Sequence, residues 1–353
     1  MAIQKFIVSR DDEVTAAWPD LSRADNGDLV CVFTECREHL DRNNSRLCIC
    51  KSSDRGRTWS EKIGLTDFGT AKNFYNNARI NNINGTLVIV CDRIIDESGE
   101  LGYAEDHGST KVYAWTSKDH GNTWEGPFPT PVEGICPDRL RMTKKGRVLL
   151  SAHKHNPATD KLEQYLWYSD DQGKTWSERV TVAADPRYNL CEGHIVETPD
   201  GVLVEYMREN SWAGNDCLKA ISYDGGESWQ GVYHVPLQGV HRPTVGYLQN
   251  GELLMTYRYL QGGKSGNLSK KAQNTFAALL SGEEITATER DGENGQQSCI
   301  MPLDHDRNPK PDCGYTGWVQ FDDGEIYVVG YIKDDAPTDH IRGYSFYRED
   351  IRF

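Results

Sequence analysis

One eight-residue motif occurs four times in this 353-residue chain. It reads Ser52-Ser-Asp54-Arg-Gly56-Arg-Thr58-Trp59, Ser117-Lys-Asp119-His-Gly121-Asn-Thr123-Trp124, Ser169-Asp-Asp171-Gln-Gly173-Lys-Thr175-Trp176 and Ser222-Tyr-Asp224-Gly-Gly226-Glu-Ser228-Trp229. The opening serines lie 65, 52 and 53 residues apart. A unit that recurs at such a period stacks into a solenoid, propeller or array. The motif has the chemistry of a turn between two strands: the Asp carboxylate accepts backbone N–H groups, Gly supplies a positive φ, and Trp packs beneath.

A second pattern interleaves with the first. Six Gly turns, Asn26-Gly27, Asn84-Gly85, Lys145-Gly146, Asp200-Gly201, Asn250-Gly251 and Asp323-Gly324, are each followed by a strongly β-prone run such as Thr86-Leu-Val-Ile-Val or Glu325-Ile-Tyr-Val-Val-Gly. Most are the Asn-Gly or Asp-Gly hairpin signal. Units of about 50 to 70 residues hold four short strands and no long helix, which is the size of a propeller blade. The expected fold is therefore all-β: one domain over residues 1–353, a six-bladed β-propeller with four antiparallel strands per blade. The last unit ends too soon for four strands, so Lys5-Phe-Ile-Val-Ser9, in a strand near residues 3–9, is expected to complete it.

Charge narrows the function classes. Lys and Arg total 39 against 53 Asp and Glu, a net charge of −14, and doublets such as Lys144-Lys145 stand alone. Phosphate backbones are repelled by such a chain, so no nucleic-acid partner is expected. No run approaches 18 consecutive apolar residues, so no membrane span is expected. Met1-Ala-Ile-Gln-Lys-Phe lacks the apolar core of a secretory signal, which makes the cytoplasm the expected compartment. The ten cysteines include no CxxC and are expected to be reduced, small buried side chains.

Strand direction alternates within a blade. If the octapeptide joins strands three and four at one end, the Gly hairpin between strands one and two lies at that same end, and function belongs to the other. The starts of the first strands there are Trp18-Pro19-Asp20, Asn76-Asn77-Ala78-Arg79, Pro137-Asp138-Arg139, Glu192-Gly193-His194, His241-Arg242-Pro243 and Gly314-Tyr315-Thr316. The second strands end in Glu35 and Arg37, Asp92-Arg93, His153 and His155, Arg208-Glu209, Arg258 and Tyr331. Charged or hydrogen-bonding groups at the same two topological positions of every blade point to a polar, concave ligand site.

The octapeptide is similar to the Asp box, and six such blades resemble the sialidase (neuraminidase) superfamily across essentially the whole chain. Asp boxes also occur in non-enzymatic propellers, so the repeat implies fold rather than chemistry. The resemblance implies a tyrosine nucleophile helped by a glutamate, an aspartic acid as acid and base, three arginines on the substrate carboxylate, and no cofactor. A neutral phenol suits an anomeric carbon that carries a carboxylate, because an anionic nucleophile would be repelled. Cys313-Gly-Tyr315-Thr-Gly resembles the family's sixth-blade Tyr-Ser segment, which makes Tyr315 the nucleophile candidate. Leu190-Cys-Glu192-Gly-His resembles the fourth-blade segment with the glutamate, Arg208 falls where one carboxylate-binding arginine is placed, and Asp41 falls where the acid/base is placed.

Two departures qualify the match. Ala17-Trp18-Pro19 stands where the family has Arg-Ile-Pro, and Lys271-Ala-Gln273 stands where the third arginine is expected. Arg139, Arg242, Arg258 or Lys271 are the candidates to replace them, with Asp20, His194 and His241 as further substrate contacts. His153, His155, His194 and His241 come from three neighbouring blades, and contact with sugar hydroxyls is favoured over a metal site. The expected activity is a retaining, sialidase-like glycoside hydrolase acting on a terminal, acidic sugar. The alternatives are a propeller lyase or hydrolase for uronic acids or other non-sialic glycans, in which Tyr315 or a histidine takes the proton α to a carboxylate, and a non-catalytic glycan- or protein-binding propeller.

Overall fold

The computed structural model describes residues 3–39, 44–70, 72–95, 109–211, 213, 215–260, 272–288 and 299–351. Strand β1 (Gln4–Ser9) precedes blade one, which is β2 (Thr15–Arg23), β3 (Leu29–Cys36), β4 (Arg46–Ser52) and β5 (Ile63–Gly64). Blade two is β6 (Asn73–Ile83), β7 (Thr86–Ile95), β8 (Ser109–Ser117) and β9 (Glu125–Glu133). Blade three is β10 (Arg141–Met142), β11 (Val148–Asn156), β12 (Lys161–Ser169) and β13 (Val180–Ala183). Blade four is β14 (Leu190–Glu197), β15 (Leu203–Glu209), β16 (Asp216–Ser222) and β17 (Gln230–Gln238). Blade five is β18 (Val240–Tyr247), β19 (Leu253–Leu260), β20 (Gln273–Leu280) and β21 (Cys299–His305). Blade six is β22 (Cys313–Gln320), β23 (Glu325–Ile332), β24 (His340–Tyr347) and, as its outer strand, β1.

The outer-strand pairing runs from Gln4 opposite Ser345 to Ile7 opposite Arg342 and closes the ring. Among the described residues, apolar clusters fill each of the six seams between blades. One joins Leu29, Cys31 and Phe33 of blade one to Tyr327, Val329 and Tyr331 of blade six, and another joins Val30 and Val32 to Ile89 and Cys91 of blade two. Successive residues of β3 thus serve opposite seams, and all eight are buried. That is why the β-prone runs after the Gly turns are apolar throughout instead of alternating with polar residues. Among the described residues no helix is long and apolar enough to cross a membrane.

The octapeptides form identical turns between strands three and four. Ser52 Oγ donates to Asp54 Oδ1 at 2.8 Å and accepts from Gly56 N at 2.8 Å, while Thr58 N and Oγ1 bond the Asp54 carboxylate at 2.9 and 2.6 Å. Asp119, Asp171 and Asp224 repeat the pattern. Gly56, Gly121, Gly173 and Gly226 all have positive φ, as the turn chemistry requires. These turns close the end opposite the starts of the innermost strands.

Candidate active site

Every innermost strand is broken at the same level. Trp18 (φ 54°), Asn77 (49°), Cys136 (48°), Glu192 (52°), Arg242 (50°) and Tyr315 (41°) are left-handed, one per blade. In five blades the register slips there by one residue: Ala17 opposes Thr34 but Asp20 opposes Val32, and the slips at Asn76/Arg79, Cys191/His194, His241/Thr244 and Gly314/Gly317 are equivalent. In blade three, Cys136 stands between the Ile135–His153 bridge and the Asp138 N–H bond to the Ser151 carbonyl. A bulge re-aims one side chain out of the pleat, and a left-handed non-glycine residue persists only where its surroundings hold it.

Three of the six ring residues form a charged cluster. The Tyr315 hydroxyl donates to Glu192 Oε1, and Arg208 Nη1 donates to the same oxygen at 3.0 Å and to the Tyr315 oxygen at 3.4 Å. The Arg258 guanidinium lies over the Tyr315 ring at 5.1 Å and that of Arg242 at 5.7 Å. Arg242 is anchored across the axis by bonds to the carbonyls of Cys136 (3.1 Å) and Pro137 (2.9 Å). Burial pushes the Glu192 carboxyl up, but Arg208 and then Arg242 outweigh it and bring it down to about 2. Burial and the adjacent Glu192 charge raise Tyr315 well above the ordinary phenol. The pair therefore holds a neutral phenol against a carboxylate, with Arg208, Arg242 and Arg258 facing Glu192 and, 3.7 Å from Arg258, Asp312, an excess of positive charge that favours an anionic ligand.

The histidines do not converge. His153 Nδ1 accepts the Glu192 N–H at 3.2 Å, and burial brings its pKa down to about 3. His241 Nδ1 accepts from Arg258 Nη2 at 3.2 Å, and burial with Arg208 and Arg258 keeps it uncharged. His155 bonds Asp160, and His194 is wholly buried between Asp138 (2.8 Å) and the Val245 carbonyl (2.9 Å). Among the described residues no three His, Cys, Asp or Glu side chains are arranged to hold a metal ion.

Not every sequence candidate reaches the cluster. Arg208, Arg242, Arg258 and His241 do, beside Tyr315 and Glu192. Asp20 is wholly buried and accepts Arg139 Nε at 2.9 Å, the Ile80 N–H at 2.9 Å, and lies 3.4 Å from Arg79. Asp138 accepts the Ile195 N–H in the same way, with His194 at its other oxygen. Asp20, Arg139 and His194 thus tie blades together rather than joining the cluster: Asp20 of blade one meets Ile80 of blade two and Arg139 of blade three, and His194 of blade four meets Asp138 of blade three and Val245 of blade five. Asp41 and Lys271 lie outside the described residues. Glu35, near Asp41 in sequence, is committed to Arg46 at 2.8 Å and to Lys62. The sequence reading missed the left-handed ring and the His39–Asp312 pair, His39 Nδ1 lying 2.5 Å from Asp312 Oδ2. Superposing the six first strands would have aligned Trp18, Asn77, Cys136, Glu192, Arg242 and Tyr315, but nothing local marks them as bulged.

Comparison with known proteins agrees with this architecture. Residues 101–328 match the family described as a BNR repeat-like domain. A curated relative, the anhydrosialidase of Macrobdella decora, is 35% identical over 154 residues, which is 41% of this chain and 18% of that protein's length. A Dyadobacter fermentans protein of unknown function superposes with a TM-score of 0.79 at 22% identity, covering 99% of this chain and 100% of that one. The intramolecular trans-sialidase of Ruminococcus gnavus gives 0.67 at 14% identity over 96% and 95% of the two chains. Trypanosoma rangeli sialidase gives 0.65 at 15% identity over 94% of this chain and 55% of that one. At these identities the structures establish a shared fold.

Proposed function

This chain belongs to the BNR repeat-like family, with the six-bladed Asp-box propeller of the sialidase superfamily, and from that premise we propose that it is a sialidase-like glycoside hydrolase acting on a terminal acidic sugar. The observation that carries the reading is the Tyr315–Glu192 hydrogen bond beneath Arg208, Arg242 and Arg258. Tyr315 attacks the anomeric carbon as Glu192 takes its proton, so charge appears on the phenolic oxygen only as the bond forms. Arg208, Arg242 and Arg258 receive the sugar carboxylate, and charge-assisted pairs of this kind orient it as well as bind it. Water then releases the sugar from Tyr315 with net retention. Asp41 takes the acid/base role in this reading, protonating the leaving oxygen and then activating the water.

A panel of aryl glycosides of acidic sugars, sialosides included, tests this. Tyr315→Phe keeps the ring's packing and removes the attacking oxygen, so turnover is expected to fall by several orders of magnitude with little change in Tm. Wild-type turnover in that variant would end the mechanism. The absent blade-one arginine, replaced by the wholly buried Ala17, keeps a uronic-acid lyase as the second reading. An unsaturated sugar product in place of a hydrolysed one would select it.

A further inference from the structure

We propose, on the reading above that the site takes an acidic sugar, that Asp92 is a positioning residue for Arg242: it holds the left-handed Cys136 that anchors this guanidinium, and it carries a proton while the substrate carboxylate is bound. Asp92 lies near the end of β7, wholly buried, and its Oδ1 accepts the Cys136 N–H at 3.0 Å. Cys136 is the left-handed residue of blade three, and its carbonyl receives Arg242 together with that of Pro137. A residue at φ 48° keeps that conformation only while its surroundings hold it. Asp92 supplies the bond on the N–H side and Arg242 the bond on the carbonyl side. One residue therefore links Asp92 to a guanidinium that lies 5.7 Å from the Tyr315 ring centre.

The second carboxyl oxygen indicates the proton. Asp92 Oδ2 has no hydrogen-bond partner among the described residues, and neither has Asn76 Oδ1. Asn76 stands directly opposite Asp92 in the ladder and is 3% exposed, so the two side chains share one buried face, with Cβ atoms about 4.5–5.5 Å apart. Two unpaired acceptors shut away from water are costly, and a proton on Oδ2 turns one of them into a donor. Burial pushes the Asp92 carboxyl up to about 7, against the Cys136 N–H, the Asn77 side chain and Arg242, which favour its charged form. Arg242, from blade five, is the cation that faces it. On its own strand Cys91 is a wholly buried thiol, pushed up by burial and by Asp92, while Arg93 points to the opposite face and bonds Asn73 at 3.0 Å. Blade three brings His153, bridged to Ile135 beside Cys136, which burial brings down to about 3 and keeps uncharged.

The sign of the effect follows from charge. A carboxylate bound beside Arg242 disfavours a second negative charge on Asp92, so binding raises the Asp92 pKa and takes up a proton. By the same linkage, affinity for the acid is highest while Asp92 is neutral and falls as the pH rises through about 7. An ionised Asp92 offsets Arg242 and leaves less positive charge for the substrate.

The test is calorimetry of N-acetylneuraminic acid and of glucuronic acid binding across neutral pH, in buffers of different ionisation enthalpy, with KM of the aryl glycosides measured alongside. Wild type is expected to take up a fraction of a proton per ligand and to bind about 10-fold more weakly at about pH 8 than at about pH 6, the effect of one nearby like charge. Asp92→Asn keeps the shape without the charge, since its Oδ1 still accepts the Cys136 N–H and its amide can donate to Asn76. It should take up no proton and hold the low-pH affinity throughout. Asp92→Ala leaves the Cys136 N–H unpaired and should raise KM about 10-fold at every pH with a smaller change in kcat, a split that a general loss of stability would not give. The proposal is overturned if neither acid binds, if wild type takes up no proton, or if Asp92→Asn binds more weakly than wild type at every pH, as it would if Asn76 turned its amide nitrogen to a charged Asp92. Hydrolysis of an acidic glycoside alongside any of these leaves the glycosidase reading standing. Proton uptake that Asp92→Asn abolishes, without turnover of any glycoside, would instead keep the proposal and remove that reading.

Discussion

Glu192 and Tyr315, 123 residues apart in the chain, are the left-handed residues of two equivalent bulges, with φ of 52° and 41°. Each would face a seam if its strand were regular. The extra residue turns both toward the propeller axis, where the phenol meets the carboxylate. Arg242 reaches the same space from the bulge between them, so three of the six ring positions supply the charged side of the site.

Arg208 sets the ionisation of this pair. Both Arg208 and Glu192 are buried, so Arg208→Ala leaves an uncompensated charge and is expected to cost about 3–5 kcal/mol of stability. Without the guanidinium, the Glu192 pKa rises from about 2, and the carboxyl becomes protonated at mildly acidic pH, where it can no longer accept the Tyr315 proton. An acid limb absent from wild type should appear in kcat/KM, together with a higher KM. An unchanged pH profile in the folded variant would show that Glu192 is not the base.

The ring conformation can be tested where the residue is not charged. Asn77 holds φ 49°, which asparagine tolerates and a β-branched residue does not. Asn77→Val is expected to lose about 1–2 kcal/mol more than Asn77→Gly in urea unfolding, since both delete the side-chain amide and only valine adds backbone strain. Equal midpoints would contradict the left-handed assignment.

The Asp-box turns predict an acid transition. Thr58 holds the Asp54 carboxyl down to about 2, and Thr175 does the same for Asp171. Folded pKa values below the unfolded ones contribute stability above about pH 4 that is lost as the pH falls toward 2. Replacing the four turn aspartates by asparagine should flatten stability over that window and leave KM unchanged, because the turns lie at the end away from Tyr315. A KM shift would place them nearer the site than their strand connections allow.

Ring closure rests on β1. Deleting residues 1–9 removes Val8 from the seam of blades one and six and leaves β24 with an unpaired edge. A lower Tm and concentration-dependent association in light scattering are expected. A truncated protein as stable and monodisperse as the full chain would show that the ring does not depend on this strand.

The octapeptides, the Gly turns and the apolar runs between them determine hairpins, blade number and the end of the propeller at which the charged cluster lies, because turn conformation and strand periodicity depend on neighbours a few residues away. The pairing of Tyr315 with Glu192 was legible too, through the resemblance of two short segments. What only the tertiary structure decided is which of the charged residues at that end join Tyr315 and Glu192. Asp20, Arg139 and His194 sit within three residues of ring positions, yet their bonds go to partners 119, 119 and 51 residues away on other blades instead of to the cluster. His39 and Asp312 meet across 273 residues only because β1 closes blade six beside blade one. Side-chain direction at a bulge depends on one inserted residue and on the blade packed against it, and both are set by contacts far apart in the chain.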